Sequence, residues 1–136
     1  MITKKIFKNV ILTLFALNAA VFMLVIVEEI LYPININEDI SFTWVDVAAA
    51  IAGIVITFSY TSSLFLLYKF KAIGKKLFVT SFILLLIIFL FSGEYWVCEN
   101  YSSLTPIITI VDLLCYVVAG MILSILYFTS IKKEFK

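Results

Sequence analysis

The ten basic residues of this chain are all lysines, and they fall into three groups separated by long apolar runs. One group precedes the first apolar run, one lies between the second and the third, and one follows the fourth. They are Lys4, Lys5, Lys8, Lys69, Lys71, Lys75, Lys76, Lys132, Lys133 and Lys136. Because lysines in short loops stay on the cytoplasmic side of a membrane, this pattern predicts four transmembrane helices with both termini cytoplasmic.

The apolar runs have the lengths that membrane-spanning helices require, each exceeding the ~20 residues that cross the hydrocarbon core. The predicted spans are about 6–32, 44–70, 76–97 and 106–131. Thr105 is expected to cap the fourth span, with Pro106 in its first turn. A short turn at 71–75 makes spans two and three antiparallel neighbours. The expected fold is therefore an all-α, up-down four-helix bundle forming a single domain.

Composition excludes several classes of protein. Hydrophobic residues make up 64% of the chain and charged residues 14%, whereas a soluble domain is about half apolar and a quarter charged. The polar connections are too short for a catalytic or nucleic-acid-binding domain. The first apolar run, from Val10 to Val27, is longer than the ~7–15-residue core of a signal peptide. We therefore expect a multi-pass protein of a bacterial inner membrane that binds no nucleic acid.

Residues that could carry catalysis are sparse. The chain has no histidine, and its two cysteines, Cys98 and Cys115, form no CxxC motif. Without a metal-ligand cluster, a nucleophile–base pair or a redox cysteine pair, the sequence favours a non-enzymatic protein with no cofactor.

Four carboxylates call for an explanation, because an acid inside a membrane span is a functional hypothesis by default. They are Glu28, Asp46, Glu94 and Asp112. Counted along each helix from its lysines, all four lie about 27–35 Å away, near the outer edge of the hydrocarbon. They form either interfacial anchors or an acidic outer vestibule, in which Asp46 and Asp112 face the bundle interior. The small multidrug exporters need a mid-membrane carboxylate, which this counting excludes.

Small and polar residues recur along two of the spans. In span two they are Asp46, Ala49, Gly53, Thr57 and Tyr60, and in span four Asp112, Tyr116, Gly120 and Ser124. Small residues four apart let helix backbones approach closely. We expect Gly53 and Gly120 at helix–helix contacts, either within the chain or between copies. Asn18, placed on one face of span one with Phe22, Val25 and Glu29, is expected to face another helix.

The two halves of the chain, 4–70 and 75–131, resemble each other weakly, so a duplicated helical hairpin and chance similarity both stay open. If the hairpin is duplicated, a pseudo-two-fold axis would run along the membrane normal.

Two classes of function stay open. One is a protein that acts by helix–helix assembly, with a second copy or a membrane-protein partner in the lipid bilayer. It would be a membrane-complex subunit, a pore-like effector, or an immunity factor against a toxin or phage. The other is a small transporter or a flippase for lipid-linked sugars, although an acidic outer plane suits an anionic lipid poorly.

Overall fold

A computed structural model describes residues 3–32, 44–91 and 104–135, and within these ranges the regular structure is entirely helical. Four α-helices follow one another, with a short 3₁₀ helix, Ser130–Glu134, after the last. They are α1 at Lys4–Leu31, α2 at Trp44–Tyr68, α3 at Ala72–Phe91 and α4 at Thr105–Phe128. The predicted all-α fold of four helices is confirmed.

Three helical stretches in the described part of the chain are long and apolar enough to cross a membrane, judged by length and composition. They are Lys4–Leu31, Ile51–Tyr68 and Thr105–Phe128. Each contains at least 18 residues, which at 1.5 Å per residue gives roughly 27 Å or more.

The helices are arranged as two antiparallel pairs. α1 packs along α4, and α2 packs along α3, whereas α1 and α2 share a much smaller contact. A ring contact between Phe82 of α3 and Tyr116 of α4, with centroids 6.3 Å apart, also joins the pairs. The architecture is therefore one helical hairpin, α2–α3, in contact with a pair formed by the first and last helices, rather than four helices packed equally.

Three phenylalanines join the two pairs at one end of the bundle. Phe7 of α1 lies 5.7 Å from Phe70 at the end of α2 and 5.9 Å from Phe135 after α4, between ring centroids. Phe70 and Phe135 are 5.4 Å apart. Such ring pairs contribute about 0.5–1.5 kcal/mol each beyond the area they bury. We call these three residues the aromatic joint.

The lysine groups meet around this joint. Lys4 forms a 2.7 Å salt bridge with Glu134, which follows α4. Lys8 lies over the ring of Tyr68, and Lys75 lies over the ring of Tyr127. The N-terminal segment, the α2–α3 turn and the C-terminal segment are thus neighbours. We call this end of the bundle the lysine end and the opposite end the far end.

The turn between α2 and α3 lies earlier than the sequence suggested. Lys71 N donates to Leu66 O, and Phe70 N donates to Leu67 O, at 2.9 Å each. This pair of bonds is a Schellman motif, whose closing residue takes a left-handed conformation that usually requires glycine. Here the residue is Phe70, with φ 56°. The prediction of a turn at 71–75 is therefore wrong, because the contacts of the Phe70 ring stabilise the turn without glycine.

Gly74 lies inside α3, where it lets α3 approach the end of α2. A Cβ added at Gly74 would lie 2.6 Å from Leu66 Cβ and 2.9 Å from two backbone atoms, Leu66 C and Leu67 N. Backbone atoms move away only if the whole turn shifts. Glycine at this position therefore sets the distance between the two helices of the hairpin.

Buried residues are concentrated toward the lysine end. Among the side chains that the structure describes, none of α1 beyond Leu14 and none of α2 before Tyr60 is buried. In α4 the buried residues begin at Cys115, two to three turns into the helix. The two pairs therefore share their core between the aromatic joint and the level of Cys115, and the far halves of α1 and α2 are largely exposed.

Replacing Gly74 with alanine should destabilise the bundle by about 1–3 kcal/mol, the usual range for overpacking. Gly53→Ala is the matched control, because an added Cβ there meets no atom within 4 Å and alanine favours helix by up to about 1 kcal/mol. Unfolding in a titration of mixed micelles with a denaturing detergent measures both. A Gly74→Ala protein as stable as the parent would contradict the close approach.

Candidate functional site

A tyrosine and an asparagine meet in the interior between the two helix pairs. Tyr60 of α2 is only 7% exposed, and its ring stacks on Phe78 of α3 at 5.5 Å. Its hydroxyl lies near the side chain of Asn18 of α1. The Asn18 amide also donates to Leu14 O at 2.8 Å. The prediction that Asn18 faces another helix is therefore confirmed.

The face of α1 that Asn18 occupies differs from the predicted one. Phe22 is 66% exposed and Val25 39% exposed, and Glu29 is exposed as well. The buried or half-buried face instead runs from Phe7 through Asn18 to Glu28. Because α1 is apolar on nearly every side, its sequence carried little information about which side packs.

Three side chains of α4 complete a polar group around Tyr60. Asp112, Cys115 and Tyr116 all lie close enough to interact electrostatically with the Tyr60 hydroxyl. At positions i, i+3 and i+4 they share one face of the helix. That face continues into the buried Ala119. We call Asn18, Tyr60, Asp112, Cys115 and Tyr116 the interior polar cluster.

The buried hydroxyls around this cluster are satisfied. Ser63 Oγ donates to Tyr60 O at 2.6 Å. In the described ranges, every buried side-chain nitrogen or oxygen has a hydrogen-bond partner. A polar group without a partner in an apolar interior costs several kcal/mol (about 2–7). Polarity between the helix pairs is therefore compatible with a stable bundle.

The predicted acidic vestibule is described only in part. Glu28 Oε1 accepts a 2.8 Å hydrogen bond from Thr105 Oγ1, which ties the far end of α1 to the beginning of α4. Asp112 is half-buried. Asp46 lies in the first turn of α2, where the description covers its backbone only, and Glu94 lies outside the described residues.

Asp112 and Glu28 lie at different depths. Asp112 is seven residues beyond Thr105, the partner of Glu28, which places it about 10 Å nearer the lysine end. α4 ends at Phe128, so counting helical rise from Lys132 overestimated the depth of Asp112 by about 6 Å. Asp112 therefore belongs with the interior polar cluster rather than with Glu28.

The cap predicted for span four is wrong. Thr105 is the first residue of α4, and Leu104 occupies the N-cap position without a side-chain cap hydrogen bond. The Thr105 hydroxyl donates to Glu28 instead of accepting from a backbone N–H of its own helix. A side-chain contact between helices thus replaces the local cap that the sequence suggested.

The stripes of small and polar residues do not follow one buried face. Thr57 and Ser124 are exposed, and Gly53 and Gly120 are half-exposed. Residues four apart advance about 40° around a helix with 3.6 residues per turn, so a stripe with that spacing turns away from the core. A Cβ added at either glycine would meet no atom within 4 Å. Gly53 and Gly120 thus do not bring helices together within the described part of the chain, and contacts between copies stay a prediction.

Two residues predicted to pack between helices, Tyr116 and Ala49, remain to be placed. Tyr116 belongs to the interior polar cluster, whereas the description of Ala49 covers its backbone in α2 only. Among the described residues, no group of histidine, cysteine, aspartate or glutamate side chains could hold a metal ion. Cys115 is a free thiol, and Cys98 lies outside the described residues.

Sequence reasoning missed Asn18 and Cys115 as neighbours of Tyr60. A usable signal was present in α4, where Asp112, Cys115, Tyr116 and Ala119 have the 3–4–7 spacing of a packing face. The regular spacing of four residues drew attention to Gly120 and Ser124 instead.

Comparison with known proteins identifies no relative: the chain matches no protein-family model, no curated protein and no solved structure.

The polar contact between Asn18 and Tyr60 should show as coupling between the two side chains. In a double-mutant cycle with Asn18→Leu and Tyr60→Phe, we expect a coupling energy of about 0.5–2 kcal/mol, the range for hydrogen bonds between membrane helices. In the control cycle Thr57→Val replaces Tyr60→Phe. Thr57 is exposed on α2, so this cycle should give no coupling energy. Strictly additive effects of Asn18→Leu and Tyr60→Phe would contradict the contact.

Proposed function

We propose that this chain is a non-enzymatic, four-span protein of a bacterial inner membrane that acts by assembling with further membrane helices. The partner is a second copy of the chain or another membrane protein. Three helices long and apolar enough to cross a membrane support the insertion. The meeting of the lysine-bearing segments at one end supports a cytoplasmic position for both termini, because lysines favour that side.

The surface around Gly53 is the observation that carries the assembly. Gly53 has open space where a side chain would lie, and its neighbour Ile54 is 70% exposed. Exposed apolar side chains alone indicate only contact with lipid. A glycine on such a surface gives a groove into which another helix can pack closely, and close packing is what drives association in lipid.

The extent of exposure along α2 agrees with this interpretation. Among the described side chains of α2, the first buried one is Tyr60. Phe58, five residues beyond Gly53, is 74% exposed. The described side chains in the far half of α2 thus leave a broad surface for an additional helix. A membrane-complex subunit, a pore-like effector and an immunity factor all need such a surface.

Assembly can be tested by changing Gly53 to leucine. We expect the parent protein, extracted from its host membrane into nanodiscs, to have the mass of more than one chain. Gly53→Leu should reduce that mass to a single chain, because the leucine fills the groove, while thermal stability stays at the parental value. Native mass spectrometry measures the first quantity, and a thermal-shift assay the second.

Val55→Leu is the matched control, since Val55 is 57% exposed and lies about 200° around α2 from Gly53. It should retain the parental mass. A parent protein that is a single chain without a partner would contradict the assembly, and so would a Gly53→Leu protein of unchanged mass.

A small transporter is the second candidate, and the interior polar cluster is the observation that favours it. Asp112 is half-buried and within electrostatic range of Tyr60, so a transported cation would meet an acidic group between the membrane surfaces. Transport by this route predicts cation flux into proteoliposomes that Asp112→Asn abolishes, because the amide keeps the shape and removes the charge. Proteoliposomes containing the parent protein and showing no flux would exclude this candidate and leave the assembly.

A further inference from the structure

A basic groove lies at the lysine end, between the first turns of α1 and the end of α2. Lys4, Lys5, Lys8, Asn9 and Leu12 line it from α1, and the rings of Tyr68 and Phe70 form the other wall. Its volume is about 510 Å³, within the range of about 300–1,000 Å³ that ligand pockets have. The groove is separate from the interior polar cluster and from the surface around Gly53.

Two of the three lysines of this groove lie over the rings of its aromatic wall. Lys8 Nζ lies 4.5 Å from the centre of the Tyr68 ring and 5.8 Å from that of Phe70. Lys4 Nζ lies 5.9 Å from the centre of the Phe70 ring. Ammonium groups over ring faces are held by the ring quadrupole. The ammonium groups of Lys4 and Lys8 are thus preorganised, which lowers the cost of binding an anion.

These charges are largely available for an anionic ligand. Within the described ranges, the only salt bridge joins Lys4 to Glu134, and both of its side chains are substantially exposed, at 59% and 43%. Exposed pairs of this kind are weak. Lys5 and Lys8 have no carboxylate partner among the described residues. An anion in the groove would therefore meet two uncompensated ammonium groups.

The groove also has an apolar side that continues along α1. Leu12, one turn beyond Lys8, is 51% exposed. Phe15 follows on the same face and is 36% exposed. A ligand with an anionic head and an apolar tail would place its head at the lysines and its tail along Leu12 and Phe15. A soluble anion would contact only the lysines.

We propose that the basic groove binds the phosphodiester head group of an anionic phospholipid from the leaflet that surrounds the lysine end. This rests on the membrane insertion proposed above, with the lysine end at the cytoplasmic leaflet, whose anionic lipids attract basic residues. The ammonium groups of Lys5 and Lys8 donate to the phosphate oxygens, and Tyr68 holds Lys8 in position. Tyr68 is thus a positioning residue for this site.

Lipid titration followed by native mass spectrometry tests the site with the full chain. The purified protein is titrated with phosphatidylglycerol and, separately, with phosphatidylcholine of the same acyl chains. We expect preferential binding of phosphatidylglycerol. The double variant Lys5→Gln, Lys8→Gln should weaken it about 25-fold, at about fivefold for each lysine near the surface. Tyr68→Leu should weaken it severalfold without changing the net charge.

The control is the double variant Lys76→Gln, Lys133→Gln, whose lysines are exposed and do not line the groove. It removes the same charge and should retain parental binding. An equal loss in this control would overturn the proposal, since surface charge alone would then explain the preference. Parental binding by Tyr68→Leu would also overturn it.

Inorganic phosphate and glycerol 3-phosphate distinguish a lipid from a soluble ligand. Neither should displace phosphatidylglycerol at equal concentration, because neither has an acyl chain to contact Leu12. Displacement by either would overturn the lipid assignment. The Gly53→Leu protein should bind phosphatidylglycerol as the parent does, so failure of the lipid site and failure of the assembly are separable results.

Discussion

The aromatic joint determines how the two helix pairs meet. Phe7, Phe70 and Phe135 come from three distant parts of the chain, and their rings lie within 6 Å of one another. Phe70 reaches this position by adopting a left-handed backbone, which costs a non-glycine residue about 1–2 kcal/mol. Its contacts with two rings and two lysines are of similar size. The residues that both pairs bury lie between this joint and the interior polar cluster, so the joint organises the whole core.

The position of the joint explains why the two ends of the bundle differ. Near the lysines, the turn, both terminal segments and the core are held together, and Gly74 lets α3 lie close against α2. Toward the far end, the Glu28–Thr105 hydrogen bond holds α1 to α4, while the far half of α2 is mostly exposed. The proposed assembly uses the exposed half, and the proposed lipid site uses the ordered end. The two proposals therefore concern separate surfaces of one bundle.

The number and order of the helices could be predicted from the sequence, because apolar runs and lysine groups are properties of segments. The faces on which the helices pack could not. Each helix is apolar on most sides, so periodicity does not distinguish the core from the surface, and the spacing of Gly120 and Ser124 led away from the buried face. The position of the turn was also missed. Glycine normally closes such a turn, but Phe70 closes it here and Gly74 serves packing instead.

Individual residues of the candidate site could be predicted from the sequence, but their contact with one another could not. Asp112 and Tyr116 stood out as polar residues in an apolar helix, and Tyr60 did so in another. Their proximity to Asn18 depends on how the two helix pairs pack against each other. No periodic pattern in the sequence predicts that packing. The depth of Asp112 depended on where α4 ends. Phe128 ends it one turn before the final lysines, and that turn is taken by the 3₁₀ helix that carries Glu134.

The central claim is that the lysine end lies at the cytoplasmic surface of a membrane and the far end at the other surface. It is tested most directly by labelling single cysteines in intact cells, with Cys98 and Cys115 replaced. Lys71 is exposed in the turn at the lysine end, and Trp44, at the opposite end of α2, is 90% exposed. An impermeant thiol reagent added from outside should label Trp44→Cys, and should label Lys71→Cys only after the cells are lysed. Labelling of Lys71→Cys in intact cells would contradict the account.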